Sequence, residues 1–136
     1  MASIRKEAII AAPVEFVWDA LRDVGAVHRR VVPGFLTDCR MDGNDARIVK
    51  FGNGIEAREV IVDLDDDARR LVWSARSERL EHHNASMQVF ADGPVRCRAV
   101  WIADVLPHAA AKIVDAMMEQ GMASMRVALG SHSAAA

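Results

Sequence analysis

The segment that most constrains the fold of this chain is the run of helix-forming residues that follows Pro107. Ala, Met, Lys, Glu, Gln and Leu dominate it, and its apolar positions form one wide face, which predicts an α-helix from about 108 to 129. At 1.5 Å per residue this helix is about 33 Å long. No other predicted element is large enough to cover a sheet, so any sheet that buries one face must curl around it.

Six strand-like segments precede that helix, and turn signals separate them. The turns are Asp-Gly-Asn at 42–44, Gly-Asn-Gly at 52–54, Asp-Asp-Asp at 65–67 and Asp-Gly-Pro at 92–94. The predicted strands lie near 35–41, 46–51, 55–63, 70–77, 84–90 and 95–105. Because the connections are short, consecutive strands are expected to pair as an antiparallel meander.

The chain begins with one more strand and a helical corner. Residues 3–10 mix Ile with charged side chains and end just ahead of Pro13, which favours an extended strand closed by a turn. Pro13 suits the first turn of a helix, and apolar residues recur at helical spacing through Leu21. We expect Trp18 to pack this helix against the sheet or the neighbouring corner. A second short helix is predicted over 26–31.

These elements predict an α+β fold in which a curved, seven-stranded antiparallel sheet wraps around a long C-terminal helix. Two short helices lie between strands 1 and 2 and plug one end. This arrangement can leave a cavity between sheet and helix. We expect residues 1–130 to form a single domain and residues 131–136 to form a flexible tail.

Composition and charge exclude several classes of protein. The 136 residues carry a net charge of -2, and the basic pairs at 29–30 and 69–70 are separated by acidic segments, so nucleic acid is not an expected partner. No apolar run approaches the ~20 residues of a membrane span, and no signal peptide is visible, so a cytoplasmic protein is expected. Cys39 and Cys97 belong to no CxxC unit, which disfavours a disulfide framework or a zinc knuckle.

Three stretches carry a resemblance to a known family. In order along the chain they are "IIAAPVEFVWDALRD", "FGNGIEAREVIVDLDDDARRLVW" and "CRAVWIADVLP". Together they resemble the START-like superfamily, also called SRPBCC, and in particular its polyketide cyclase/dehydrase and lipid transport branch. The resemblance covers about residues 4–129. It implies the helix-grip fold shared with the birch-pollen allergen and a hydrophobic or aromatic small molecule as ligand, with no metal or nucleotide cofactor.

The chain departs from that family at positions that bear on function. Val31 and Val32 stand where many relatives carry a Trp, so one side of the implied pocket mouth is aliphatic. Trp73 and His83 stand where relatives often have Tyr. Because the chain contains no Tyr, a tyrosine acid or oxyanion donor is excluded.

Glu59 and His83 are the candidate catalytic residues. The resemblance aligns Glu59 with an acidic position of the family, and an inward, unpaired carboxylate there would be a possible general base. The alternative is an ion pair across the strands with Arg47 or Arg76. His83 is either a polar group that meets ligand or a rim histidine bonded to the backbone. It cannot share a metal with His82, because adjacent strand residues point to opposite faces.

Alternation along the predicted strands selects further candidate ligand contacts. Trp101 faces inward, and Met87 and His83 face the same way on the preceding strand, which makes Trp101 and His83 expected cross-strand neighbours. Trp101 either stacks on a ligand or fills the core. The other candidates are Phe35, Trp73 and His28. His28 lies at the helical corner near the implied pocket entrance, where it either meets the pocket mouth or is exposed to solvent beside Arg29 and Arg30.

The last helix supplies the remaining candidates. Met118, Met122 and Met125 share one face, and methionine adapts to irregular apolar space. Gly121 beside them would leave room for a ligand if it faces the sheet. The alternative is a soft but filled core.

The resulting functional hypothesis is a binding protein for a lipid or polyketide-like molecule, without a cofactor, as a monomer or homodimer. One alternative is a polyketide cyclase or aromatase that uses a pocket His or Glu for proton transfer. Another alternative, from a different class, is a protein-interaction module of the co-chaperone or ribosome-associated type. That alternative predicts a filled cavity and a large exposed apolar patch.

Overall fold

One antiparallel sheet of seven strands is wrapped around one long helix. The computed structural model describes residues 2–135, with side chains up to Gly130. The strands are β1 (Ser3–Ile10), β2 (Leu36–Met41), β3 (Ala46–Phe51), β4 (Glu56–Asp65), β5 (Arg70–Arg76), β6 (His82–Ala91) and β7 (Cys97–Leu106). Their order in the sheet is β1-β7-β6-β5-β4-β3-β2. The predicted helix-grip architecture is therefore confirmed, including the meander of β2 to β7. The structure adds that β1 lies at the edge of the sheet beside β7.

Two short helices connect β1 to β2, as predicted. They are α1 (Val14–Arg22) and, after a 3-10 turn at Val24–Ala26, the single-turn α2 (Val27–Arg30). Trp18 of α1 is buried, and its Nε1–H donates a 2.9 Å hydrogen bond to Asp66 in the β4–β5 turn. Arg22 donates to the same carboxylate at 2.8 Å. The two bonds fasten α1 to the sheet, so Trp18 has a scaffold role.

The long helix α3 spans Ala111–Ala135, after a 3-10 turn at His108–Ala110. It begins three residues later than predicted because the chain leaving Pro107 first makes that tighter turn. The helix extends into residues 131–135, where the sequence predicts a tail. The side chains of 131–136 lie outside the described residues, and the flexibility of the tail stays a prediction. No helix within residues 2–135 is both long and apolar enough to cross a membrane.

The apolar core lies between the sheet and α3. Side chains alternate along each strand, and the inward set is buried: on β7, Cys97, Ala99, Ala103 and Val105 are at most 2% exposed. On α3, Met118, Met125 and Leu129 meet this set. The inner face of the sheet, meaning the face turned toward α3, therefore carries both the core and any site enclosed beneath the helix.

Candidate functional site

A cavity of about 660 Å³ lies between the inner face of the sheet and α3. Its wall is mostly apolar. The sheet contributes Leu71, Trp73, Met87 and Trp101, α3 contributes Met117, Met118 and Met125, and the helical corner contributes Val27, Val31 and Val32. Val31 and Val32 thus make one side of the wall aliphatic. They are buried, so they lie in the wall of the cavity and not at the pocket mouth where the resemblance placed them.

The cavity reaches the protein surface at one side. Its lining includes exposed residues of the β3–β4 turn, the β5–β6 loop and the first half of α3, namely Asn53, Ile55, Arg79, Lys112 and Ile113. Ile55 and Ile113 are 40% and 59% exposed. An apolar molecule entering here would meet aliphatic side chains on both sides of the opening.

Most of the candidate residues named from sequence line this cavity. They are Phe35, Glu59, Trp73, His83, Met87, Trp101, Met118 and Met125. His28, Gly121 and Met122 do not line it. The structure thus brings together eight of the eleven candidates, and the functional roles of these residues stay predictions.

His28 misses the cavity because of the geometry of α2. Val27 and Val31, four residues apart, face the cavity together, and His28 is rotated about 100° from Val27 on this helix. Its side chain is half-buried, and Nδ1 is buried without a hydrogen-bond partner among the described residues. The expectation that His28 stands at the pocket mouth was wrong.

Gly121 is a packing contact and does not leave room for a ligand. A Cβ at this position would lie 2.9 Å from Cζ3 of Trp101 and 3.2 Å from Cε2 of Phe35. The missing side chain therefore admits two aromatic rings. Met122 is buried but turned about 40° from Met118 around the helix, toward the side where Lys6 of β1 pairs with Glu119.

A buried ion pair lies in the cavity wall. Arg47 Nε donates to Glu59 Oε1 at 2.8 Å, and the two side chains are 4% and 11% exposed. Nη1 of Arg47 also donates to the carbonyl oxygen of Val24 at 3.0 Å, and its guanidinium lies 5.8 Å from the centre of the Trp73 ring. Glu59 therefore follows the alternative interpretation of the sequence, an ion pair with Arg47.

Arg47 is a residue of the site that sequence reasoning named only as a partner for Glu59. Its signal was the two-residue period of β3, which places Arg47, Val49 and Phe51 on one face. Arg47 and Phe51 both line the cavity. A charged side chain on an otherwise apolar inward face indicates a residue that forms a buried ion pair or contacts a ligand.

His83 is held by the backbone of the neighbouring strand. The ladder between β5 and β6 ends at Trp73 and Ala85, and beyond it the amide N–H of Ala75 donates to Nδ1 of His83 at 3.0 Å. Ser74 Oγ donates to the carbonyl oxygen of His83 at 2.7 Å. The imidazole thus accepts the hydrogen bond of an amide that has no backbone partner on β6, because the ladder has ended.

This bond fixes the protonation state of His83. A backbone N–H can only donate, so Nδ1 must accept and the ring proton must lie on Nε2. Burial lowers the pKa of His83, although the nearby Glu59 carboxylate opposes that effect. His83 is therefore a neutral hydrogen-bond donor through Nε2, and it is poorly suited to accept a proton as a general base.

Trp101 has a different neighbour from the one expected. Its cross-strand partner on β6 is Met87, whereas His83 lies opposite Val105. The prediction of a Trp101–His83 pair was wrong because the β6–β7 turn is longer than expected and shifts the register. Trp101 packs instead against Trp73, with ring centres 6.2 Å apart, and its Nε1 is buried without a partner among the described residues.

The next features are the side chains that could bind a metal ion and the two cysteine thiols. Within the described residues, no three His, Cys, Asp or Glu side chains are grouped as metal ligands would be. Both cysteines are buried and free. Burial raises the pKa of the Cys97 thiol to about 11, so it is a poor nucleophile near neutral pH.

The sequence matches one known protein family over nearly its whole length. The family described as "Polyketide cyclase / dehydrase and lipid transport" matches residues 1–130. The chain belongs to this family. No curated protein sequence matches it.

Several solved structures share the fold of this chain, although their sequence identity to it is low. A Thermobifida fusca protein is 26% identical, with a TM-score of 0.81 over 99% of this chain and 95% of that chain. The di-domain ARO/CYC BexL from the BE-7585A biosynthetic pathway is 12% identical, with a TM-score of 0.80 over 94% of this chain and 46% of BexL. Norcoclaurine synthase from Thalictrum flavum, in complex with dopamine and hydroxybenzaldehyde, is 18% identical, with a TM-score of 0.70 over 98% of this chain and 86% of that enzyme.

Proposed function

We propose that this protein binds an apolar small molecule, aromatic or lipid-like, in the cavity between the sheet and α3. The observation that carries the proposal is the cavity itself. Its volume of about 660 Å³ is within the ~300–1,000 Å³ typical of ligand sites, and such sites combine apolar walls with a few placed polar groups. Here the polar groups are Arg47, Glu59 and His83.

The comparisons support an aromatic ligand. Norcoclaurine synthase, which has the same fold, was solved with two aromatic compounds, dopamine and hydroxybenzaldehyde. In this chain, Trp73 and Trp101 in the cavity wall offer ring surfaces to an aromatic molecule. The proposed site is formed by a single chain, and a cytoplasmic location and a monomeric or homodimeric state stay predictions.

Binding without chemistry is favoured over a cyclase or aromatase activity. A general base must have a free lone pair near the substrate. The acceptor nitrogen of His83 is occupied by the amide of Ala75, so His83 offers no free lone pair, and the charge of Glu59 is already balanced by Arg47 at 2.8 Å. The interaction-module alternative predicts a filled interior, so the cavity counts against it.

The test is native mass spectrometry of freshly purified protein, followed by a thermal-shift screen of lipids and aromatic polyketides. We expect a co-purified molecule or a ligand-dependent rise in the unfolding temperature. No bound mass and no shift across the set would reject the proposal.

Tryptophan fluorescence locates the bound ligand. Trp73 and Trp101 line the cavity, whereas Trp18 is fastened to Asp66 outside it. Ligand-induced fluorescence changes should therefore survive Trp18→Phe and diminish in Trp73→Phe or Trp101→Phe. The opposite pattern would place the ligand outside this cavity.

A further inference from the structure

Four residues form a row across neighbouring strands on the inner face of the sheet. Arg47 of β3 pairs in register with Glu59 of β4, and Glu59 pairs with Ala75 of β5. His83 of β6 bonds to the amide of Ala75. All but one of these side chains are polar, and all four line the cavity. We call Arg47, Glu59, Ala75 and His83 the polar row.

The polar row has a gap at its third position. Adjacent strands lie about 4.8 Å apart, so the backbones of Glu59 and His83 stand about 10 Å apart on either side of Ala75. Ala75 contributes only a methyl group to the wall between them. A small group of a ligand can therefore sit over Ala75 and meet a longer side chain on each side.

The hydrogen-bonding character of the two sides is fixed and opposite. His83 presents Nε2–H, a donor that bonds to no other group in the described part of the chain. Glu59 uses Oε1 for Arg47, while Oε2 accepts no hydrogen bond from the described residues. A hydroxyl group matches both sides at once, because it accepts from His83 and donates to Glu59.

The charge of the polar row disfavours an acid. The positive charge of Arg47 is already balanced by Glu59 at 2.8 Å, so the pair is neutral as a whole. A ligand carboxylate placed over Ala75 would add an uncompensated buried charge next to Glu59. Hydrogen bonds to a charged acceptor are stronger than those between neutral groups, which favours a hydroxyl donor at this place.

We infer that the cavity selects an uncharged ligand with a phenolic or enolic hydroxyl, held over Ala75 between Nε2–H of His83 and the carboxylate of Glu59. This inference rests on the proposed function and adds a ligand class to it. A free fatty acid or an aromatic acid is the class that the polar row rejects.

Three probes with one ring system test the inference. Isothermal titration calorimetry would compare 2-naphthol, 2-methoxynaphthalene, which cannot donate, and 2-naphthoate, which is charged. We expect 2-naphthol to bind about tenfold tighter than the ether, as expected for one hydrogen bond to a charged group, and to exceed 2-naphthoate by at least as much. Equal affinities, or a preference for 2-naphthoate, would overturn the inference while leaving the proposed function in place. No binding of any probe would also overturn the inference, whereas the proposed function falls only if the screen of lipids and aromatic polyketides is negative as well.

A second measurement keeps the test independent of the ion pair, whose removal can unfold the protein. Ala75→Val fills the gap with a residue that suits a strand, and Glu59 and Arg47 stay intact. We expect the ratio of 2-naphthol to 2-methoxynaphthalene affinity to fall toward one. The matched control is Ala91→Val, on an exposed position of β6 outside the cavity, which should keep the ratio. A ratio that Ala75→Val leaves unchanged would contradict the inferred position of the hydroxyl.

Discussion

The amide N–H of Ala75 and Nδ1 of His83 are joined by a 3.0 Å hydrogen bond at the point where the β5–β6 ladder ends. Protonation of His83 would place two N–H groups face to face and break this bond. Burial of the ring acts in the same direction and lowers the pKa of His83. Folding and proton binding at His83 therefore oppose each other.

The protein is expected to lose stability in mild acid because of His83. The unfolded chain binds the proton near the ordinary pKa of about 6.5, and the folded chain binds it only at a lower pH. Below about pH 6.5 the unfolded state thus holds more protons, and the free energy of unfolding falls as the pH drops toward the folded pKa. Urea unfolding between about pH 7.5 and about pH 5 measures this loss.

The matched variants for this experiment are His83→Asn and His82→Asn. The asparagine side chain does not titrate, and in the first variant its oxygen can still accept from the amide of Ala75. The first variant should flatten the pH dependence, and the second, at the exposed neighbour, should keep the loss that His83 causes. An unchanged slope in His83→Asn would show that the histidine is not the group responsible.

Replacing only one partner of the Arg47–Glu59 pair is expected to lower the free energy of unfolding more than replacing both partners. Arg47→Leu leaves a buried carboxylate without its partner, which typically costs about 3–5 kcal/mol. In the double variant Arg47→Leu/Glu59→Leu no charge is stranded, so part of that loss should be recovered. Denaturant unfolding of both variants measures the difference. A double variant no more stable than Arg47→Leu alone would contradict this account.

The thiols are expected to be protected by the fold. Burial raises the pKa of both Cys39 and Cys97, the latter to about 11, so little thiolate is present near neutral pH. A thiol-specific chromogenic reagent should label the native protein slowly and the urea-unfolded protein rapidly. Fast labelling of native protein that disappears in Cys39→Ser or Cys97→Ser would identify an exposed thiol and contradict the burial.

The strands, turns and long helix could be predicted from the sequence because the patterns that indicate them are local. Turn residues such as those at 52–54 and 92–94 mark where strands end, and the apolar period of α3 marks the helix that the sheet must cover. Trp18 was expected to pack against the sheet or the corner. Its partner Asp66 lies 48 residues away and could not be chosen from among three consecutive aspartates.

The site was predictable in part, because strand alternation selects a face but not a partner. It placed His83, Met87 and Trp101 inward, and all three line the cavity. Which residues meet across the strands depends on register, and the β6–β7 turn paired Trp101 with Met87. The bond between Ala75 and His83 arises where a ladder stops, and no local sequence pattern marks such an end.

Gly121→Ala is expected to destabilise the protein, although Ala normally favours a helix. The added Cβ would lie 2.9 Å from Cζ3 of Trp101 and 3.2 Å from Cε2 of Phe35, so both rings must shift. Overpacking of this kind costs about 1–3 kcal/mol, and the gain in helix propensity returns at most about 1 kcal/mol, which leaves a net loss of about 1 kcal/mol. The control is Gly130→Ala on the same helix, where the nearest atom is Ala11 Cβ at 3.9 Å. Thermal unfolding should show a rise for Gly130→Ala and a fall for Gly121→Ala, and equal rises would mean that Trp101 and Phe35 yield without strain.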